Sequence, residues 1–232
     1  MRDIIKQTCP SFPPLSLSEL TQAREAPATR EAHDLLAAHI PALHAIQLTA
    51  PPASVPFGST IRIAAWNAER CKYDRASRRL LEAVGAEVTL LSEMDVGMAR
   101  SGNRHTVRDL TEPLQQGFAF AVEFVELGLG DSREMRWHAG QSNTFSLHGN
   151  AIMSRSRLAD VFVVPLDEGG TWFKQQRCGS AAAGRTHGDR CKGCIIAISP
   201  LGRLSPSGKP EHAVEPRPPD AAAHGSTPHA DR

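Results

Sequence analysis

The sequence predicts an α/β sheet domain, and three observations carry that reading. From Ile61 a β-α-β succession runs through IRIAAWN as a strand, DRASRRLLEAVGA as an amphipathic helix and EVTLLSE as a second strand. The stretch FAFAVEFVEL (118–127) alternates, with Phe118, Phe120, Val122 and Phe124 on one face. NAIMSR and DVFVVPL then read as two more strands. Strands alternating with a helical pattern build a sheet with helices on its faces.

Taken in order, residues 16–48 carry a helical signal, because Ser16 and Glu19 have capping-box spacing and Leu35, Leu36, Ile40, Leu43 and Ile46 recur at about the helical period. Pro27 and Pro41 divide it. TAPPASVPFGS (49–59) is too rich in Pro and small residues to form an element, so residues 1–59 are expected to be a helical appendage with a linker. Residues 60–176 hold the main domain, in which Asp74 is the expected N-cap of the helix and Gly85 lies near its end. In 177–232 one short apolar run, CIIAI, interrupts a sequence of Ala, Pro, Gly, Arg and His without sustained period, which predicts a disordered tail.

A chain of 232 residues is long enough for one sizeable core. Its net charge of +1 gives no sign of a nucleic-acid or membrane partner, so any basic site must be local. No apolar stretch approaches the roughly 18–20 residues of a membrane span, and the start lacks the apolar run of a signal peptide. The five cysteines are an odd number and include the pair Cys191–Cys194, which argues against a secreted disulfide framework. A cytoplasmic chain is the expectation.

The first strand ends in Asn67 and the second in Glu93, two oxygen ligands delivered to what is expected to be one edge of a sheet. A carboxylate with an amide carbonyl suits Mg²⁺ or Mn²⁺ rather than zinc. The loop that follows offers Arg100, Asn103 and Arg104 as donors to phosphate oxygens, with Gly102 permitting close backbone approach. Each residue has a plainer reading as well. Asn67 serves equally as a strand-end cap, Glu93 as a solvated terminus and the loop as a solvated connection, while Asp95 bonds water or an amide and His148 and Asn150 are structural.

In order and spacing, IRIAAWNAER, EVTLLSEMDVGMARSGNRH and SLHGNAIMSR resemble the first half of the endonuclease/exonuclease/phosphatase superfamily, the DNase I-like proteins; the likeness spans residues 61–173. The resemblance implies a four-layer α/β sandwich, divalent metal on Asn67 and Glu93, and a core strand from Gly149 to Arg155 that sets Asn150 beside the substrate. It implies hydrolysis of a phosphate ester, in a nucleic acid, a phospholipid headgroup or a nucleotide. The sequence departs from the pattern in its second half. The last asparagine is Asn150, so no later Asp-x-Asn exists, and no Asp-His dipeptide occurs. An incomplete sandwich with impaired or no activity is therefore expected, with no general base identifiable. The tail has the residue bias of a GC-rich gene read out of frame; a natural disordered tail has the same bias. The alternative is a catalytically dead remnant or an interaction module. A rival site is Cys178, His187, Cys191 and Cys194, in C-x8-H-x3-C-x2-C order, which matches the donor types of a tetrahedral zinc centre.

Overall fold

A computed structural model describes residues 3–27, 29–165, 173–174 and 194–200, the last two stretches as backbone only. Among the described residues the fold is mixed α/β, with an open sheet and five α-helices. The strands are β1 (Thr8–Cys9), β2 (Ile46–Thr49), β3 (Ile63–Asn67), β4 (Val88–Val96), β5 (Gly117–Glu126), β6 (Leu147–Ser154), β7 (Leu158–Pro165), β8 (Phe173–Lys174) and β9 (Cys194–Pro200). The helices are α1 (Leu17–Glu25), α2 (Arg30–Ala38), α3 (Asp74–Val84), α4 (Thr106–Thr111) and α5 (Ser132–Trp137).

The main sheet runs β1-β2-β5-β6-β4-β3, with β8 also paired to β5, and β7 pairs with β9 in a second sheet. β3 lies parallel to β4, as the helical crossover through α3 requires, whereas β4, β5 and β6 are antiparallel neighbours. α3 ends at Gly85 in the left-handed conformation (φ 61°), while its N-cap is Tyr73, one residue ahead of the expected Asp74.

The N-terminal segment is not an appendage. β1 pairs with β2, β2 pairs with β5 in the middle of the sheet, and Ile5 exchanges two backbone hydrogen bonds with Val163 of β7. Ser16 and Glu19 do form the capping box of α1. The helical period over 35–46 breaks, however: α2 stops at Ala38, Pro41 opens a 3₁₀ turn and Ile46 begins β2. Phe12, Leu20 and Leu43 belong to the same buried cluster as Phe118, Phe120, Met94 and Met153, and Ile46 is wholly buried with Ala119 and Ile152 on the opposite face. Burying four such side chains is worth roughly 6–12 kcal/mol, comparable to the net stability of a whole domain. The segment is therefore part of the core.

α3 and α4 cover the same face of the sheet through Leu81, Val107 and Leu110. β7 covers the other face through Leu158, Val161 and Val163. Within the stretch expected to be a disordered tail, 194–200 forms β9 in register with β7, Ile195 opposite Val164 and Ile196 opposite Val163, and the rest of 177–232 lies outside the described residues. The apolar, β-branched run CIIAI suits a strand once a partner edge is available. Among the described residues no helix is long and apolar enough to cross a membrane.

Candidate functional site at the ends of the parallel strands

The parallel pair β3 and β4 brings Asn67 opposite Ser92, next to Glu93. Here the ladder between β4 and β6 is irregular: Leu91 faces Ala151 and Met94 faces Gly149, so Ser92 and Glu93 together oppose Asn150. This is a β-bulge, and Glu93 sits in it with φ 58°, a left-handed conformation that costs a non-glycine residue energy. The next loop is equally unusual, with Glu69, Arg70 and Cys71 all at positive φ (46°, 68° and 47°). Backbone held in sparsely populated conformations clusters at functional sites.

The side chains meet as follows. Asn67 Nδ2 donates to Glu93 Oε1 at 3.0 Å, and Asn67 Oδ1 accepts the Glu69 backbone N–H at 3.0 Å. The second bond fixes the amide's orientation, so Asn67 presents nitrogen to Glu93. Arg70 Nη1 lies 3.7 Å from Glu93 Oε2. Arg70 Nε is 3.2 Å from Glu134 Oε1, an ion pair without hydrogen-bond geometry, since that nitrogen is buried and has no hydrogen-bond acceptor.

The oxygen donors predicted for a divalent cation are thus brought together in part. Glu93 supplies a carboxylate a quarter exposed. Asn67 steadies it instead of adding an oxygen. Among the described residues no group of three His, Cys, Asp or Glu side chains is arranged to hold a metal. One carboxylate is still compatible with Mg²⁺, which keeps several waters and is commonly held by one or two carboxylates together with substrate phosphate.

Arg100, Asn103 and Arg104 are placed differently from the expected phosphate-facing loop. Arg100 is buried, and its Nε and Nη2 donate to the two oxygens of Asp95, each at 2.9 Å. Its Nη1 lies 3.4 Å from Glu134 Oε2 and 3.5 Å from Glu126 Oε2. Burial alone would raise the Asp95 pKa, but the bonds from Arg100 and His148 and their charges hold it at about 2. The same fork pulls the Arg100 guanidinium above its ordinary range against the effect of burial. His148 Nδ1 is 2.7 Å from Asp95 Oδ1 and 3.1 Å from Arg100 Nη2. Because the carboxylate can only accept, that nitrogen carries the proton and the contact with Arg100 is not a hydrogen bond.

Asn103 Nδ2 donates to the Ser142 carbonyl and its Oδ1 accepts the Thr144 N–H, so it holds the 142–144 loop. Arg104 reaches Asp109, Asp74 and the Ser101 and Cys71 carbonyls. All three are engaged within the chain, Arg100 as a buried side chain, Arg104 half-buried against Cys71, Asp74 and Asp109, and Asn103 at the surface. Asn150 is half-buried on β6 opposite the bulge, the one member of the predicted substrate set that the fold sets beside Glu93.

Sequence reasoning missed Arg70, Lys72, Glu126 and Glu134. Glu134 is 2% exposed; its Oε1 meets Lys72 at 3.0 Å and its Oε2 accepts the Asp131 N–H at 2.9 Å. Asp131 and Glu134 form a capping box on α5, a D-x-x-E signal legible in the sequence that would have placed the helix start. The rival zinc set lies outside the described residues for Cys178, His187 and Cys191, and only the backbone of Cys194 is described. No protein-family model, curated protein or solved structure matches this chain.

Proposed function

We propose that the chain derives from a divalent-metal-dependent phosphoesterase of the DNase I-like endonuclease/exonuclease/phosphatase superfamily, on its four-layer sandwich, with Glu93 as the carboxylate that takes Mg²⁺ or Mn²⁺. The observation that carries the reading is the meeting of Asn67 and Glu93 at 3.0 Å on adjacent strand ends, with Glu93 presented by a left-handed bulge. Such a bulge re-aims one side chain at the cost of backbone strain, which a purely structural strand end has no need of. When bound, the ion would supply positive charge to a phosphoryl oxygen. Asn67 orients the carboxylate, Arg70 lies beside it, and Asn150 opposite the bulge borders the space for the substrate, a phosphate ester of a nucleic acid, a phospholipid headgroup or a nucleotide.

The test is hydrolysis of bis(p-nitrophenyl) phosphate and p-nitrophenyl phosphate with Mg²⁺ or Mn²⁺. Turnover is expected to be weak, because the sequence holds no Asp-x-Asn after Asn150 and no Asp-His pair. Replacing a metal-side carboxylate removes more than an outer-shell partner would, so Glu93→Ala should lower metal-dependent turnover by at least about a hundredfold. Unchanged turnover in that variant rejects the assignment. A second reading, a catalytically silent chain, is favoured by the internal engagement of Arg100, Asn103 and Arg104. Metal-dependent turnover above the Glu93→Ala background decides against it.

A further inference from the structure

We propose that Arg70 is the internal counter-ion of Glu93 and that a divalent cation must displace it, so that Arg70 sets the metal affinity of the site. The inference rests on the reading of Glu93 as the metal carboxylate and concerns its regulation. Both oxygens of that carboxylate face nitrogen: Oε1 accepts from Asn67 Nδ2 at 3.0 Å and Oε2 lies 3.7 Å from Arg70 Nη1. A cation approaching Oε2 therefore meets a guanidinium already there, and two positive charges at one oxygen repel.

Arg70 is not free to withdraw into solvent. It is 21% exposed, its Nε is held 3.2 Å from the buried Glu134 carboxylate, and its own backbone is left-handed at φ 68°. Among the described residues, Glu134 in turn belongs to a cluster that brings the carboxylates Asp95, Glu126 and Glu134 together with the cations Arg100, Arg70 and Lys72. Arg70 thus serves two carboxylates at once. Lys72 and Arg100 remain on Glu134 when Arg70 shifts, so the buried cluster survives the displacement that metal binding demands. The arrangement makes Glu93 a site that fills only when the cation's attraction, aided by a phosphate ligand able to accept the displaced guanidinium, exceeds that of Arg70.

The experiment is a Mn²⁺ titration of the full chain at low ionic strength, read by the loss of the free-ion electron paramagnetic resonance signal. It compares the wild type with Arg70→Asn, Arg70→Lys and Glu93→Gln. Asn tolerates left-handed backbone and removes the charge, whereas Lys keeps it. A unit charge and a divalent ion about 5 Å apart in a water-like dielectric repel strongly enough to change binding about tenfold. The expected result is Mn²⁺ bound about tenfold more tightly by Arg70→Asn, with Arg70→Lys within about twofold of the wild type and the difference shrinking in high salt. A loop merely distorted by substitution would move both variants alike. Binding that still requires Glu93 but is unchanged or weaker in Arg70→Asn overturns the inference and leaves Glu93 as the metal carboxylate. Binding in none of the chains, or binding indifferent to Glu93→Gln, overturns that assignment and the inference together.

Discussion

Arg100→Leu separates a structural arginine from a phosphate-binding one. In the structure its guanidinium makes two 2.9 Å bonds to Asp95 and stands within 3.5 Å of Glu126 and Glu134, all buried. Removing it leaves His148 on the Asp95 carboxylate and strips Glu126 and Glu134 of a neighbouring positive charge. Breaking a buried pair by deleting one partner costs about 3–5 kcal/mol, because the surviving charge is left buried without compensation. That is about a fifth or more of the stability of a typical domain. Urea unfolding followed by tryptophan fluorescence reads it directly, with Arg104→Leu as comparison, since Arg104 and its partners are partly exposed and its pairs are worth about 1 kcal/mol or less. A loss below about 1 kcal/mol for Arg100→Leu, equal to that of Arg104→Leu, would refute the view that Arg100 holds the loop onto β4.

Three further outcomes follow from particular contacts. His105 accepts the Arg108 N–H through Nδ1 and so donates from Nε2 to the buried Gln47 Oε1, a neutral tautomer; burial, then the Arg108 charge, lower its pKa from 6.5 to about 4. A base whose folded pKa lies below its unfolded value is protonated preferentially in the unfolded chain. Stability is therefore full above about pH 6.5 and falls by up to about 3 kcal/mol as the pH drops to 4. His105→Asn should abolish that slope in urea titrations between pH 4.5 and 7. Asp95 has the usual carboxylate sign, so its stabilising share persists above its unfolded value of 3.8 and is lost only as the pH falls toward 2; Asp95→Asn should flatten acid unfolding in that lower window. Gly149→Ala should destabilise by about 1–3 kcal/mol in thermal unfolding, because the added Cβ would overlap the Ala121 carbonyl oxygen between β5 and β6.

The strands from Ile63 to Pro165 were legible because each carries its own alternation or apolar run, and α3 because Gly85 ends an amphipathic stretch. β1 and β2 were not, since two and four residues are too short for a period to show; β1 pairs with β2, and the partner edge of β2 lies on β5, some seventy residues away along the chain. Asn67 and Glu93 were legible as a pair because a β-α-β crossover makes parallel neighbours of the strands that carry them. The fate of Arg100 was not. Which way a basic loop turns depends on acceptors supplied by β4, β5 and α5 together, and Glu126 and Glu134 announce nothing in their local sequence about facing it. The left-handed run at 69–71 was equally hidden, because no glycine marks it.

Paramagnetic broadening by Mn²⁺ tests Glu93 as the metal carboxylate most directly, since it needs neither a known substrate nor turnover. With Mn²⁺ added to the ¹⁵N-labelled full chain, the account predicts selective loss of the amide resonances of Asn67, Ala68, Ser92, Glu93 and Met94, restored by Glu93→Gln, while those of the β7 residues Leu158 to Val163 persist. Uniform broadening, or selective broadening elsewhere that survives Glu93→Gln, would contradict it.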